Sequence, residues 1–188
     1  EYARKALSIV LLSLEDFRVL LEKNAERNHP KTELRVETYL FGTKSKQVLS
    51  FTDKGEKREK GIINSIVTLD GSMGSTNDGA CLKVILDNIT PMEREEIKKG
   101  KKTKMIFEIT DGASSLAGTT KKAVEELTEK GAYIQAIEIG PKDQDAEETF
   151  KFIFGEKGTL LGEELSELPT LLIKQVKTGF ESIFRTKD

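Results

Sequence analysis

The sequence predicts an α/β protein with a doubly wound, mostly parallel sheet, helices on both faces and one antiparallel edge strand. Two observations favour this fold class. Short apolar runs that stop at turn residues alternate with segments of helical periodicity. Near the start, two strand-like runs are joined by a hairpin-type connection. The length of 188 residues fits one domain, so we assign residues 1–188 to a single domain.

The first predicted element is an amphipathic helix with no strand before it. It ends near the turn Asn28-His29-Pro30. Its apolar residues recur at helical spacing and are Leu7, Val10, Leu11, Leu14, Phe17 and Leu21. The segments Leu34 to Phe41 and Gln47 to Phe51 are then predicted to be strands, because they are rich in β-branched, aromatic and other apolar residues. Their connection, Gly42-Thr43-Lys44-Ser45-Lys46, makes one of them an antiparallel edge strand.

Two helices and a buried strand are predicted next. Lys57 to Val67 has weak helical periodicity, and a stronger helix follows the loop Gly71-Ser72-Met73-Gly74-Ser75. The apolar run Met105 to Ile109 stops at Thr110-Asp111-Gly112, which is typical of a buried strand that ends in a turn. Arg94 to Lys104 is locally basic, but interspersed glutamates and the absence of aromatic residues indicate a solvated helix end and loop.

The last third of the chain continues the alternation of helix and strand. A helix from about Thr120 closes at Gly131, and Tyr133 to Ile139 is a mostly apolar strand. Ala146 to Phe152 is predicted to be a short helix, and Phe152 to Leu161 is predicted to contain a short strand. The alternating spacing of Phe150, Phe152 and Phe154 also favours a strand edge that faces the core. A closing helix covers Pro169 to Phe184.

Composition excludes several classes of function. With 30 basic and 32 acidic residues and a net charge of −2, the chain has no dominant field for nucleic acid or a membrane surface, and no membrane segment is visible. The presence of one cysteine excludes a disulfide framework and a cysteine-rich zinc cluster, and it permits a reducing, cytoplasmic location. We expect this residue, Cys81, to be a buried thiol. The single histidine excludes two-histidine sites. Any metal must therefore be held mainly by oxygen.

Two loops carry most of the residues that could bind a metal ion or another ligand. One is Asp70 to Gly79, which is dense in carboxylates, hydroxyls and glycines, and the other is Thr110 to Ser115. In open α/β sheets, ligands bind outside the carboxyl ends of the strands, in loops that lead into helices. Carboxylate and hydroxyl oxygens are hard ligands that suit Mg²⁺. These loops therefore predict a divalent-cation site.

The two loops resemble the motifs of the von Willebrand factor A (VWA) domain family. Gly74-Ser75-Thr76-Asn77-Asp78-Gly79-Ala80-Cys81-Leu82 resembles the loop whose threonine binds metal in that family, and Met105 to Gly112 resembles its strand ending in Thr-Asp-Gly. The first helix, the strand pair containing Phe41-Gly42 and the last helix after Leu165-x-x-Leu168-Pro169 follow in the family's order. The resemblance covers nearly the whole chain and implies a VWA, Rossmann-like fold.

The resemblance implies a metal-ion-dependent adhesion site (MIDAS) with Thr76 and Asp111 as metal ligands. Further candidates at the rim are the oxygen-bearing residues Ser75, Asp78 and Ser114. The family's third motif, Asp-x-Ser-x-Ser after a central strand, is missing. We therefore expect the domain to be incomplete at its N-terminus, with that strand upstream of Glu1. The alternative is that this protein lacks the strand and its motif. Asp70-Gly71-Ser72 imitates the motif in the wrong place. Simpler roles also stay open, with Asp111 as a turn residue and Thr76 as a helix N-cap.

The function implied by the resemblance is a protein-interaction module of intracellular type. A bound Mg²⁺, or another divalent cation such as Mn²⁺ or Ca²⁺, would capture an Asp or Glu carboxylate of a partner protein, in some relatives beside an AAA+ ATPase. One alternative is a metal-dependent phosphohydrolase or nucleotide-binding enzyme, although no Gly-x-x-x-x-Gly-Lys-Ser/Thr phosphate loop occurs. Another is a structural scaffold with a degenerate metal site.

Overall fold

The computed structural model describes residues 1–25, 33–69 and 74–185, without the side chains of residues 24, 25 and 180–185. Within these ranges the chain forms seven α-helices and five strands. In chain order they are α1 Tyr2–Ala25, β1 Thr38–Leu40, β2 Lys46–Leu49, α2 Gly55–Thr68, α3 Asp78–Asp87, α4 Pro91–Lys98, β3 Met105–Thr110, α5 Ala117–Glu129, β4 Tyr133–Ile139, α6 Gln144–Phe154, β5 Gly158–Gly162 and α7 Leu168–Arg185. The predicted turn at His29 and the loop residues Asp70 to Met73 lie outside the described residues.

The described strands form two sheets. β3, β4 and β5 are parallel and lie in that order, with Met105 opposite Tyr133 and Ala136 opposite Gly158. The strands are parallel because the crossover helices α5 and α6 return the chain to the end of the sheet at which the previous strand began. β1 and β2 form a separate antiparallel hairpin. This mixed α/β architecture confirms the predicted fold class.

One face of the parallel sheet packs against α3, α5 and α6. Alternate residues of β3 and β4 point toward these helices, as the period of two in a strand requires. The buried apolar residues on this side include Leu82, Leu86, Val124, Leu127, Ile106, Ile134, Phe150 and Ile153. Cys81 of α3 is 4% exposed, and burial raises the pKa of its thiol to about 12, which fits the buried structural thiol predicted from the sequence.

The opposite face of the sheet packs against α1 and α7. Ile137 and Ile139 of β4 contact the apolar stripe of these helices. The other buried members of this cluster are Ala6, Val10, Leu168 and Leu172. Because helices cover both faces of the sheet, the loops that could form a ligand site lie at the carboxyl ends of the strands. None of the helices in the described part of the chain combines the length and apolar character needed to cross a bilayer.

Two local predictions differ from the structure. The alternating phenylalanines do not form a strand edge, because they lie in α6. Phe150 and Phe154 are four residues apart in this helix and are buried, with ring centroids 4.9 Å apart, whereas Phe152 is exposed. The segment before the basic loop forms a separate helix, α4. Its N-cap is Thr90, whose hydroxyl accepts a hydrogen bond from the Glu93 amide at 3.1 Å.

Candidate metal-ion site

The two predicted metal ligands lie at the carboxyl edge of the parallel sheet. Asp111 follows the last residue of β3 and is exposed, whereas Thr76 is half-buried two residues before α3. A Cβ atom built on Gly112 would lie 3.6 Å from Thr76 Oγ1, so the threonine hydroxyl lies near the residue that follows Asp111. The fold thus brings together two residues that are 35 positions apart in the sequence.

Backbone and side-chain hydrogen bonds hold the two loops against each other. The Ser115 amide donates to the Thr76 carbonyl at 2.8 Å. Thr110 Oγ1 donates to the Gly112 carbonyl at 2.9 Å and accepts from the Gly112 amide at 3.3 Å, which forms the turn that exposes Asp111. These hydrogen bonds contribute to the relative position of Thr76 and Asp111.

The connection between β1 and β2 supports the loop of Thr76 from the other side. The Asn77 amide donates to the Gly42 carbonyl at 3.2 Å, and the Ser75 amide donates to Thr43 Oγ1 at the same distance. Gly74 has a φ of 79°, and a Cβ atom there would lie 2.3 Å from Thr43 Oγ1, so glycine is required for both reasons. Ser75 is exposed, with its hydroxyl 3.4 Å from that of Thr43.

Thr76 is not the N-cap of the helix that follows it. The cap of α3 is Asn77, whose side-chain oxygen accepts a hydrogen bond from the Ala80 amide at 3.3 Å. The Thr76 hydroxyl has no hydrogen bond to the other described residues. The alternative interpretation of Thr76 as a capping residue is therefore wrong, and its hydroxyl remains available for a ligand.

Two further candidates, Asp78 and Ser114, lie below the rim and bind each other. Asp78 is 2% exposed, and its Oδ1 accepts hydrogen bonds from Ser114 Oγ at 2.5 Å and from Thr120 Oγ1 at 2.8 Å. The Gly79 amide donates to the same oxygen at 2.8 Å. Asp78 therefore joins the first turn of α3 to the loop after β3 and to α5.

Glu108 is a buried carboxyl group that the sequence interpretation missed. It is 4% exposed in β3, on the side that faces α3, and neither oxygen has a hydrogen-bond partner in the described part of the chain. Burial and the neighbouring charge of Asp78 raise the pKa of Glu108 well above its ordinary value of 4.5. A single charged residue within the apolar run Met105 to Ile109 was the available signal.

The described residues contain no group of three or more His, Cys, Asp or Glu side chains able to hold a metal ion. The two loops offer the exposed carboxylate of Asp111 and hydroxyls that include those of Thr76 and Ser75. Both are hard oxygen donors of the type that Mg²⁺ and related divalent cations prefer. The donor types fit such an ion, and two protein ligands leave most of its coordination sphere for other groups.

Comparison with known proteins gives one sequence relative. No family model matches the chain. An uncharacterized protein of Treponema pallidum (strain Nichols) is 32% identical over 191 residues, which cover 97% of this chain and 32% of the relative. The chain therefore spans about a third of the length of that curated relative.

Solved structures of proximal thread matrix protein 1 (PTMP1) from the mussel byssus have a similar fold. One, described with a zinc occupied MIDAS motif, has a TM-score of 0.61 and 18% identity and covers 92% of this chain and 43% of PTMP1. A second crystal form has a TM-score of 0.57 and 20% identity, covering 79% of this chain and 38% of PTMP1. Identities this low show the fold alone. The chain has a VWA-like fold, as the order of its helices, strands and two loop motifs predicted.

Proposed function

We propose that this protein is a protein-interaction module that captures an Asp or Glu carboxylate of a partner through a divalent cation held by Thr76 and Asp111. The observation that supports it best is the proximity of the Thr76 hydroxyl to Gly112, which follows the exposed Asp111 at the carboxyl edge of the sheet. This edge is where open α/β sheets bind ligands.

The chemistry of the two donors explains why a carboxylate would be the ligand. A divalent ion is not overcompensated by one or two protein carboxylates and neutral hydroxyls, so it can still bind a further oxygen ligand. When bound, the ion would accept an acidic side chain of a partner as a further oxygen ligand. The attraction strengthens when the partner surface excludes water from the contact. The two residues of this chain would hold the ion and leave positions open on its solvent side.

We propose that the remaining protein ligands come from a strand outside the described residues that carries Asp-x-Ser-x-Ser. The division of the strands into two sheets supports this proposal. Glu37, just before β1, pairs with Lys104, just before β3, at 3.6 Å, and the connection after β1 is bonded to the loop of Thr76 through the Asn77 amide and the Gly42 carbonyl. β1 and β3 nevertheless share no hydrogen-bonded ladder. A strand between them would join the sheets and end beside Thr76.

Mg²⁺ is the proposed ion because all the candidate donors are oxygen atoms, and Mn²⁺ and Ca²⁺ accept the same donors. The zinc in the MIDAS motif of PTMP1 supports a divalent ion at this edge of the fold. Action beside an AAA+ ATPase in the cytoplasm is part of the proposal; interspersed surface charge and a single buried cysteine are compatible with it.

The central experiment is titration calorimetry with Mg²⁺ and Mn²⁺ on the wild-type chain and on Asp111→Ala. We expect Asp111→Ala to abolish measurable ion binding while the thermal unfolding midpoint changes little, because Asp111 is exposed and makes no core contact. Asp87→Ala is the matched control, since Asp87 is also an exposed aspartate but lies at the far end of α3.

The outcomes separate the alternatives. Undiminished ion affinity in Asp111→Ala would remove Asp111 from the site. Ion binding together with phosphatase or nucleotide-hydrolysing turnover that disappears in Asp111→Ala would favour an enzyme. If the wild-type chain binds neither ion, the titration is repeated with the proposed Asp-x-Ser-x-Ser strand present, and failure there would favour a scaffold with a degenerate site.

A further inference from the structure

A set of polar side chains, two of them buried and one half-buried, lies close in sequence and in space to the segments of the candidate metal ligands. It consists of Asp78, Ser114 and Thr120, which we call the Asp78 clamp. Asp78 is 2% and Thr120 is 0% exposed. Both hydroxyls donate to Asp78 Oδ1, at 2.5 Å from Ser114 and 2.8 Å from Thr120, and the two hydroxyl oxygens are 2.9 Å apart. Hydrogen bonds to an ionised acceptor in a dry interior are among the strongest in proteins.

Each member of the clamp comes from a different element. Asp78 begins α3, Ser114 lies in the loop after β3, and Thr120 belongs to the first turn of α5. Gly79 allows the close approach of the two helices, because a Cβ atom there would lie 2.7 Å from Thr120 Oγ1 and 3.0 Å from the Thr120 amide. The backbone is thus shaped to let Thr120 reach Asp78.

The clamp connects the segments that carry the two metal ligands. Asp78 follows Thr76 by two residues, and Ser114 follows Asp111 by three. The Ser115 amide, next to Ser114, donates to the Thr76 carbonyl at 2.8 Å. Asp78 and Thr120 are buried, and the half-buried Ser114 has its hydroxyl bonded to Asp78. The clamp can therefore affect the site only by holding Thr76 and Asp111 in place.

We propose that Asp78, Ser114 and Thr120 are positioning residues that set the separation between Thr76 and Asp111 and thereby the affinity of the cation site. This inference rests on the proposed function. Metal ligands must be held within about 0.5 Å of the binding geometry, and groups bonded to the ligand-bearing segments supply that order. The sequence candidates Asp78 and Ser114 thus act on the ion through the loops and not as its ligands.

The test uses Thr120→Val, which removes the hydroxyl and keeps the shape of the side chain, and Thr120→Ser, which restores the hydroxyl. Thr128→Val is the matched control: Thr128 is in the same helix, and its hydroxyl donates to the Val124 carbonyl at 2.7 Å, away from the clamp. Calorimetry with Mn²⁺ should give a Kd about tenfold weaker for Thr120→Val, near wild type for Thr120→Ser and unchanged for Thr128→Val.

A second readout decides the inference without metal. Amide hydrogen exchange followed by NMR should show faster exchange of the Ser115 amide in Thr120→Val and in Ser114→Ala, and unchanged exchange in Thr128→Val. Ser114→Ala serves if Thr120→Val does not fold. Wild-type exchange at Ser115 in the clamp variants, or wild-type Mn²⁺ affinity in a folded Thr120→Val, would overturn the inference. If the protein binds no Mn²⁺ even with the proposed Asp-x-Ser-x-Ser strand present, the proposed function fails, and the exchange result still decides whether the clamp orders the loops.

Discussion

Two buried ionisable side chains, Lys104 and Glu108, lie four residues apart at and just before β3 and differ in whether a group of opposite charge lies beside them. Lys104, just before β3, is 7% exposed and has Glu37 and Glu93 within 3.6 and 3.7 Å of its ammonium group, which also lies 5.2 Å from the Phe51 ring centre. Glu108 is equally buried and receives no hydrogen bond from the described residues. The amino end of the strand thus pairs acidic groups with lysine, whereas the end that leads to the candidate site places two acidic groups, Glu108 and Asp78, near each other.

The carboxyl groups around Lys104 show how this balance is reached. Burial raises the pKa of Glu37, and Lys104 opposes that rise without cancelling it. Burial also acts to raise the pKa of Glu93, but its bonds to Lys102 and Lys104 outweigh burial and leave that pKa below its ordinary value. One lysine therefore neutralises part of two carboxylates and ties β1 to β3 and α4. The amino end of β3 is therefore stabilised by paired charges, whereas the raised pKa of Glu108 near the carboxyl end favours its neutral form.

The largest effect should come from Lys104→Met. The variant leaves Glu37 and Glu93 buried beside an apolar side chain, so we expect a loss of about 3 kcal/mol in the free energy of unfolding. Urea denaturation at pH 7 measures it. Lys104→Arg, which keeps the charge, should lose less. Equal stability of Lys104→Met and wild type would show that the amino end is not held by this charge.

Glu108→Gln should act in the opposite direction. An amide has no charge to bury and can donate to Asp78, whereas the Glu108 carboxyl group can donate only when it is protonated. We expect a gain of about 1 to 2 kcal/mol in the free energy of unfolding at pH 7. Thermal or urea denaturation of both proteins measures the difference.

The gain should depend on pH in a defined direction. Because the pKa of Glu108 is higher in the folded protein than its ordinary value of 4.5, the folded state binds a proton that the unfolded chain has released. The contribution of Glu108 to stability is therefore fully present below about pH 4.5 and is lost progressively as the pH rises toward the folded-state pKa. The advantage of Glu108→Gln should grow over that range. An advantage that stays constant from pH 4 to pH 8 would contradict a protonated Glu108.

Much of the fold follows from periodicity, because its main elements pack through their own apolar stripes. The run Met105 to Ile109 and the run Tyr133 to Ile139 each became a strand of the parallel sheet, with bounds that differ by no more than one residue from prediction. The strand predicted at Leu34 to Phe41 shortened to Thr38–Leu40, since only those residues pair with β2. The spacing of Phe150, Phe152 and Phe154 fits either period, so local pattern cannot distinguish helix from strand there.

The candidate site was predictable where its residues belong to a local motif. Thr76 and Asp111 each sit in a short run with its own glycine, and the structure brings these runs together. Thr120 was not predictable as a partner of Asp78, because their hydrogen bond depends on the close crossing of α3 and α5 at Gly79. Glu108 was hidden for the same reason: its surroundings come from residues 30 positions earlier. Contacts between distant segments are set by packing, which one sequence does not display.

The smallest effect should come from Lys102→Ala, although its ammonium group lies 2.8 Å from Glu93, nearer than that of Lys104. The Lys102 side chain is 42% exposed, so water and salt screen its attraction, and we expect a loss of less than about 1 kcal/mol. Denaturation at low and high salt measures it, and the small loss should shrink further at high salt. A loss equal to that of Lys104→Met would mean that distance, and not burial, decides the strength of these ion pairs. The contrast between the two lysines on one carboxylate thus tests directly why the buried charge at the amino end of β3 holds the fold.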